Sequence, residues 1–111
     1  RVGATMSLPE SASGRVLVAF AEAAMLDRLQ RAGAVLPDAA ILDAVRQDGH
    51  AVSSGRSIEG IRAAAVPVFD ADHRCMAALS LVGPAERFDA ETCVPPLRAA
   101  AARLTAMLEG R

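Results

Sequence analysis

Two apolar runs of strand length stand close together in the middle of the chain, GIRAAAVPVFD at 60–70 and CMAALSLVGP at 75–84, separated by the polar Asp72-His73-Arg74. Such a pair around an Asp-rich turn predicts a β-hairpin whose walls are almost wholly buried and need cover on both faces. The second run holds one hydroxyl, Ser80, and a lone polar group in an apolar wall needs a partner: backbone, water or a ligand. Upstream, Val2, Ala4, Met6 and Leu8 alternate with Gly3, Thr5 and Ser7, the period of a half-buried strand ending at Pro9. Val16, Leu17 and Phe20 then fall at helical spacing, with Ser11 or Ser13 as N-cap and an alanine-rich continuation to about Leu29.

Gly33 and Pro37 punctuate a loop, after which Asp38 caps a second helix with Ile41, Leu42 and Val45 on one side. Arg46 falls in its last turn and Gly49 supplies the left-handed stop. His50 to Ser57 reads as a strand with a bend at Ser54-Gly55-Arg56, and Pro67 must sit at an edge or unpaired position because it has no N–H for a ladder. The closing helix is placed from Pro95 to Glu109, with Leu97, Ala101, Leu104 and Leu108 in one stripe and a separate short turn at Asp89 to Thr92. The order strand, helix, helix, strand, strand, strand, helix has no βαβα alternation. It predicts an α+β fold, helices packed on an antiparallel sheet.

Composition narrows the function classes. The 111 residues suit one domain spanning 1–111, and 52% hydrophobic against 23% charged residues suits a packed core rather than disorder. Arg15, Glu22 and Asp27 interrupt the richest apolar stretch, so no membrane span is expected. All twelve basic residues are Arg and they are scattered along a chain of net charge −1, unlike a phosphate-neutralising stripe, so this piece is not expected to bind nucleic acid by itself. The start at Arg1-Val2-Gly3 has no Met, basic leader or cleavage pattern and reads as part of a longer polypeptide. Cys75 and Cys93 lie 18 residues apart without a CxxC, which predicts reduced thiols in a cytoplasmic protein rather than a zinc knuckle or disulfide frame.

Signals for catalysis are weak. Ser13 is not in a GxSxG elbow, and no phosphate-binding glycine motif is present. Asp70, Asp72 and His73 read as turn chemistry rather than a metal site, and His50 as a strand residue at the rim, so neither metal nor cofactor is expected. Ser11-Ala12-Ser13-Gly14 is the stronger candidate. Small residues at a helix start let a ligand approach the backbone, where free N–H groups favour an anion, and the same pattern also serves as an ordinary Ser cap.

In chain order, Arg1-Val2-Gly3, SLP at 7–9, SASGR at 11–15 before VLVAF, Arg46 to Gly49, GIRAAAVPVFD and ALSLVGP at 78–84 together resemble the C-terminal effector-binding domain of IclR-type transcriptional regulators. The resemblance covers nearly the whole chain. It implies a GAF/profilin-like sensor for a small organic effector, tied to an upstream winged helix-turn-helix through which DNA would be bound, in a homodimer or homotetramer. It also implies a sheet incomplete on its N-terminal side, because family domains carry a further helix and strands before the segment that starts here. Carried over by position, the resemblance nominates Ala12, Ser13 and Gly14 for backbone contacts, Ser53, Ile61 and Ala63 for the wall, and Ser80 with Val82 on the last strand. Relatives often have a second hydroxyl where Val82 stands, and some an acidic residue at Ser53, so this pocket has fewer polar handles. The competing readings are an oligomerisation module with a vestigial pocket, another GAF-type sensor, or a redox domain using Cys75 or Cys93.

Overall fold

The computed structural model describes residues 7–54 and 59–109, so the expected strand at Val2 to Leu8 lies largely outside the described residues, and Leu8 to Glu10 form a turn. Four helices, α1 (Ala12–Ala19), α2 (Ala23–Arg31), α3 (Ala39–Asp48) and α4 (Ala90–Glu109), surround an antiparallel sheet of β1 (Ala51–Val52), β2 (Ile61–Phe69) and β3 (Cys75–Pro84) in the order β1-β2-β3. The α+β expectation holds. The hairpin pairs Ala63 with Val82, Ala65 with Ser80 and Pro67 with Ala78, with a register shift between Val68 and Phe69. Asp70 shapes its turn by accepting from the amides of Asp72 and Arg74, and His73 takes φ 62° there while stacking on Phe69.

Directly paired residues share a face of an antiparallel sheet, so β2 divides two cores. Ala64, Val66 and Val68 meet Val94, Leu97 and Ala101 of α4. Their 94, 97, 101 spacing is the apolar stripe of one helix side. On the opposite face Ala65 and Ala51 pack with Ala12, Val16 and Ala19 of α1 and Val45 of α3. Alanine and valine dominate both contacts, which lets the helices lie close to the strands.

Four expectations are corrected. The helix of the N-terminal half does not run on to Leu29. It stops at Phe20, which turns aside to pack edge-on against Phe69 with centroids 5.7 Å apart, while Arg46 donates through Nε to the Ala19 carbonyl at 2.8 Å and satisfies the exposed end. A new helix, α2, starts after Glu22. Within the described part of the strand drawn from His50 to Ser57, only Ala51–Val52 are strand, because the Ser53 side chain takes over the ladder: its Oγ accepts from the Ala63 N–H at 2.9 Å while its own N–H donates to the Ala63 carbonyl. Gly55, Arg56 and Ser57, the rest of that expected strand and its bend, lie outside the described residues.

The last helix begins at Ala90 rather than Pro95. Asp89 caps it, accepting from the Glu91 amide and the Thr92 hydroxyl, and the helix runs through Pro95 and Pro96. Burial of Val94 and Leu97 outweighs the ladder bonds the two prolines remove. Finally, only one wall of the hairpin is buried. Ala64 to Val68 are enclosed, whereas β3 is the sheet edge among the described residues, with Met76 54% and Val82 59% exposed. Pro67 conforms to expectation: its backbone edge has the parity of Ala63 and Ala65, which face β1, but it lies past the end of that two-residue strand.

Candidate functional site

The α1 face of the hairpin is covered only in part. Ala65 and Ala78 lie under α1, but further along the same face Ile61, Ala63, Ser80 and Val82 form an apolar floor in which Ser80 is exposed and carries the hydroxyl. Strand alternation explains the set, since 61 and 63 on β2 and 80 and 82 on β3 must point the same way. Ile61 is 38% exposed and Ala63 half-buried, so the floor opens outward from the α1 contact.

One side of this floor is the start of α1. Ser11 caps the helix, its Oγ accepting from the Gly14 amide at 2.9 Å, while its own N–H donates to the Ser7 carbonyl. The Gly14 amide is therefore engaged. A Cβ at Gly14 would stand 2.6 Å from the Leu8 Cα and 2.8 Å from the Leu8 carbonyl oxygen, so the glycine is required by the close passage of the turn before the helix. Ala12 is buried against the sheet, and Ser13 is half-buried beside it.

The turn is bound to the exit of β1. Arg15 donates through Nε to the Pro9 carbonyl at 2.8 Å and through Nη1 to the Val52 carbonyl at 3.2 Å. Ser54 donates its hydroxyl to Glu10 Oε1 at 2.5 Å and its amide to the Glu10 carbonyl. These bonds bring Ser53, only 5% exposed, to the side of β2 that faces the helix start. Among the nominated residues, Ala12, Ala63 and the Ser53 bond to Ala63 form one continuous contact region, with Ser80, Val82 and Ile61 on the open floor beyond it.

A second opening of roughly 320 Å³ lies at the other end of the same face, between Leu17, Phe20, Met25, Leu29 and Met76, with Arg74 and Glu22 3.6 Å apart at its rim. Cys75 borders it. Burial pushes its thiol above the usual range, partly offset by hydrogen bonding with the Ala77 and Val68 backbone, which disfavours the thiolate that redox chemistry needs. Among the described residues no three His, Cys, Asp or Glu side chains are grouped to hold a metal, and no helix is long and apolar enough to cross a membrane.

Both the fold and the amino-acid pattern match known proteins. The model of the bacterial transcriptional regulator IclR C-terminal region matches residues 1–106. The chain belongs to the IclR family. Among solved structures, the C-terminal domain of the Escherichia coli regulator KdgR superposes with a TM-score of 0.76 at 28% identity, over 92% of this chain and 71% of that one. HmgR of Pseudomonas aeruginosa gives a TM-score of 0.74 at 33% identity, over 98% of this chain and 48% of that one. The inducer-binding domain of a PobR double mutant from Acinetobacter, in complex with 3-hydroxybenzoic acid, shares the fold with a TM-score of 0.73 at 23% identity, over 95% of this chain and 69% of that one. Curated proteins give no match. The chain thus spans about half of the length of several relatives, 45% in the regulator from Alicyclobacillus acidocaldarius.

Within this IclR-type domain, sequence reasoning missed the part played by Ser53, whose hydroxyl replaces a strand residue in the ladder. A serine directly after Val52 and before a second serine was the available signal. It also missed the union of Arg46 and Arg98 on one side of the molecule, since 52 positions of sequence separate them and only the reach of the Arg98 side chain from α4 to the end of α3 joins them.

Proposed function

We propose that this chain is the effector-sensing domain of an IclR-type regulator, taking a small organic acid or related metabolite against the floor of Ile61, Ala63, Ser80 and Val82. The observation that carries this reading is the incomplete cover of one sheet face, where an exposed hydroxyl stands in an otherwise apolar surface. In this reading Ser80 orients the polar end of the effector, Val82 and Ile61 hold its apolar part, and Ala12, Ser13, Gly14 and Ser53 shape the side wall. With a valine at 82 and a serine at 53, affinity depends on few polar contacts, which favours a ligand with one polar end. The effector would act on DNA through a winged helix-turn-helix domain upstream of this chain, within a homodimer or homotetramer.

Thermal-shift and calorimetric screening with small keto acids and aromatic acids tests the proposal. A saturable rise in melting temperature with at least one of them, lost in Ser80→Ala while the unliganded melting temperature is unchanged, is expected. Folded protein that responds to none of the panel would count against the reading. The exposed edge of β3, with Met76, Leu81 and Val82 projecting from it, favours a second reading as an assembly module. That reading predicts stability that rises with protein concentration and ignores ligand, measurable by sedimentation and melting across a dilution series.

A further inference from the structure

A cleft of roughly 370 Å³ opens just before the first residue of β1, between the C-terminal end of α3, the free edge of β2 and α4. Its floor is apolar, built from Phe20, Pro67, Phe69 and Ala101, and two guanidinium groups, Arg46 and Arg98, stand in its wall. The two phenylalanines meet edge to face, so the floor presents aromatic edges as well as aliphatic surface.

Both arginines are held in place by main-chain oxygens. Arg98 donates through Nη2 to the Asp48 carbonyl and lies 3.1 Å from His50 Nδ1, and among the described residues no carboxylate pairs with it. Arg46 is fixed by the Ala19 carbonyl and pairs with exposed Asp43 at 2.9 Å, which neutralises much of its charge. Arg98 is therefore the uncompensated cation of the cleft. A guanidinium anchored by one nitrogen keeps other N–H groups available in a fixed plane, so little rotamer freedom is left to lose on binding.

An unpaired, oriented cation above an apolar floor of this size fits one class of ligand. We propose that the cleft is a second small-molecule site, taking a monocarboxylate with a compact aromatic body: the carboxylate on Arg98, with Arg46 beside it, and the ring against Phe20 and Phe69. The site is separate from the Ser80 floor, which lies toward the Ile61 and Val82 end of the hairpin, and it stands or falls independently of the function proposed there.

The chain has no Trp and no Tyr, so the fluorescence of 2-naphthoate can be followed on the protein without background. Saturable binding of 2-naphthoate is expected, weakened at least tenfold in Arg98→Gln, about threefold in Arg46→Gln, and unchanged in Ser80→Ala. The neutral 2-naphthamide is expected to bind at least tenfold more weakly. Because Arg98 also ties α4 to the end of α3, Ala102→Leu provides an independent variant: Ala102 is exposed and lines the cleft, and the larger side chain is expected to abolish binding while leaving the melting temperature unchanged. Absence of saturable binding overturns the proposal. So does equal binding of naphthoate and naphthamide, wild-type affinity in folded Arg98→Gln or Ala102→Leu, or loss of binding in Ser80→Ala.

Discussion

The two faces of the sheet are built from nearly the same residue types and end up with different properties. On one, α4 lays Val94, Leu97 and Ala101 along Ala64, Val66 and Val68 and seals them from water. On the other, the eight-residue α1 covers Ala65 and Ala78 and stops short of Ser80 and Val82. The difference is one of helix length and placement rather than of hydrophobicity. A long helix over one face secures the fold, and the opposite face remains partly open.

The contrast is broken most strongly from the closed side. Leu97→Ala, at a position 7% exposed, is expected to lower unfolding free energy by about 3 kcal/mol in a urea titration. On the open side the largest effect belongs to the helix start. Gly14→Ala forces a methyl into the Leu8 backbone, where no flexible side chain can give way, and is expected to cost about 2 kcal/mol by the same measurement. Ser53→Ala leaves the Ala63 N–H without its partner and is expected to cost about 1.5 kcal/mol, with faster hydrogen exchange at the Ala63 amide. Ser80→Ala is the smallest change to the fold, under about 0.5 kcal/mol, as suits an exposed side chain. Its effect is expected in effector affinity instead. A Ser80→Ala protein that melts several degrees lower would place Ser80 in the support of the sheet and erase the distinction between the faces.

Much of this division was legible in the chain. The Asp70 turn and the Gly49 stop follow from local backbone chemistry, and of the stripe Leu97, Ala101, Leu104 and Leu108 the first two fall on the buried side of α4, whereas Leu104, past the end of that contact, is 40% exposed. The errors share a cause, which is that tertiary partners override local signals. Nothing between Phe20 and Ala23 breaks a helix by composition. The break comes from Phe69 and Arg46, residues 49 and 26 positions from Phe20. Pro95 and Pro96 look like a helix start until Asp89 and the burial of Val94 are known together. The two walls of the hairpin are equally apolar in sequence, and only strand order reveals that, among the described residues, β2 is central and β3 an edge. The candidate site was nominated through the family resemblance, and strand alternation independently placed Ser80 and Val82 on one face of β3. The openness of the floor was not legible, because it depends on where a helix from another part of the chain begins.

The shortness of β1 leaves half of β2 as an open backbone edge, the kind of surface on which a foreign strand can grow. Pro67 stands in that half and offers no N–H, and the hydroxyl of Thr105 already donates to the next outward-facing carbonyl, that of Phe69, at 2.8 Å. An incoming strand would therefore find one hydrogen-bond donor missing and one acceptor taken. The proline that interrupts the apolar run of β2 thus has a colloidal role: it lets the domain keep a two-residue strand, and a cleft beside it, without inviting edge-to-edge aggregation.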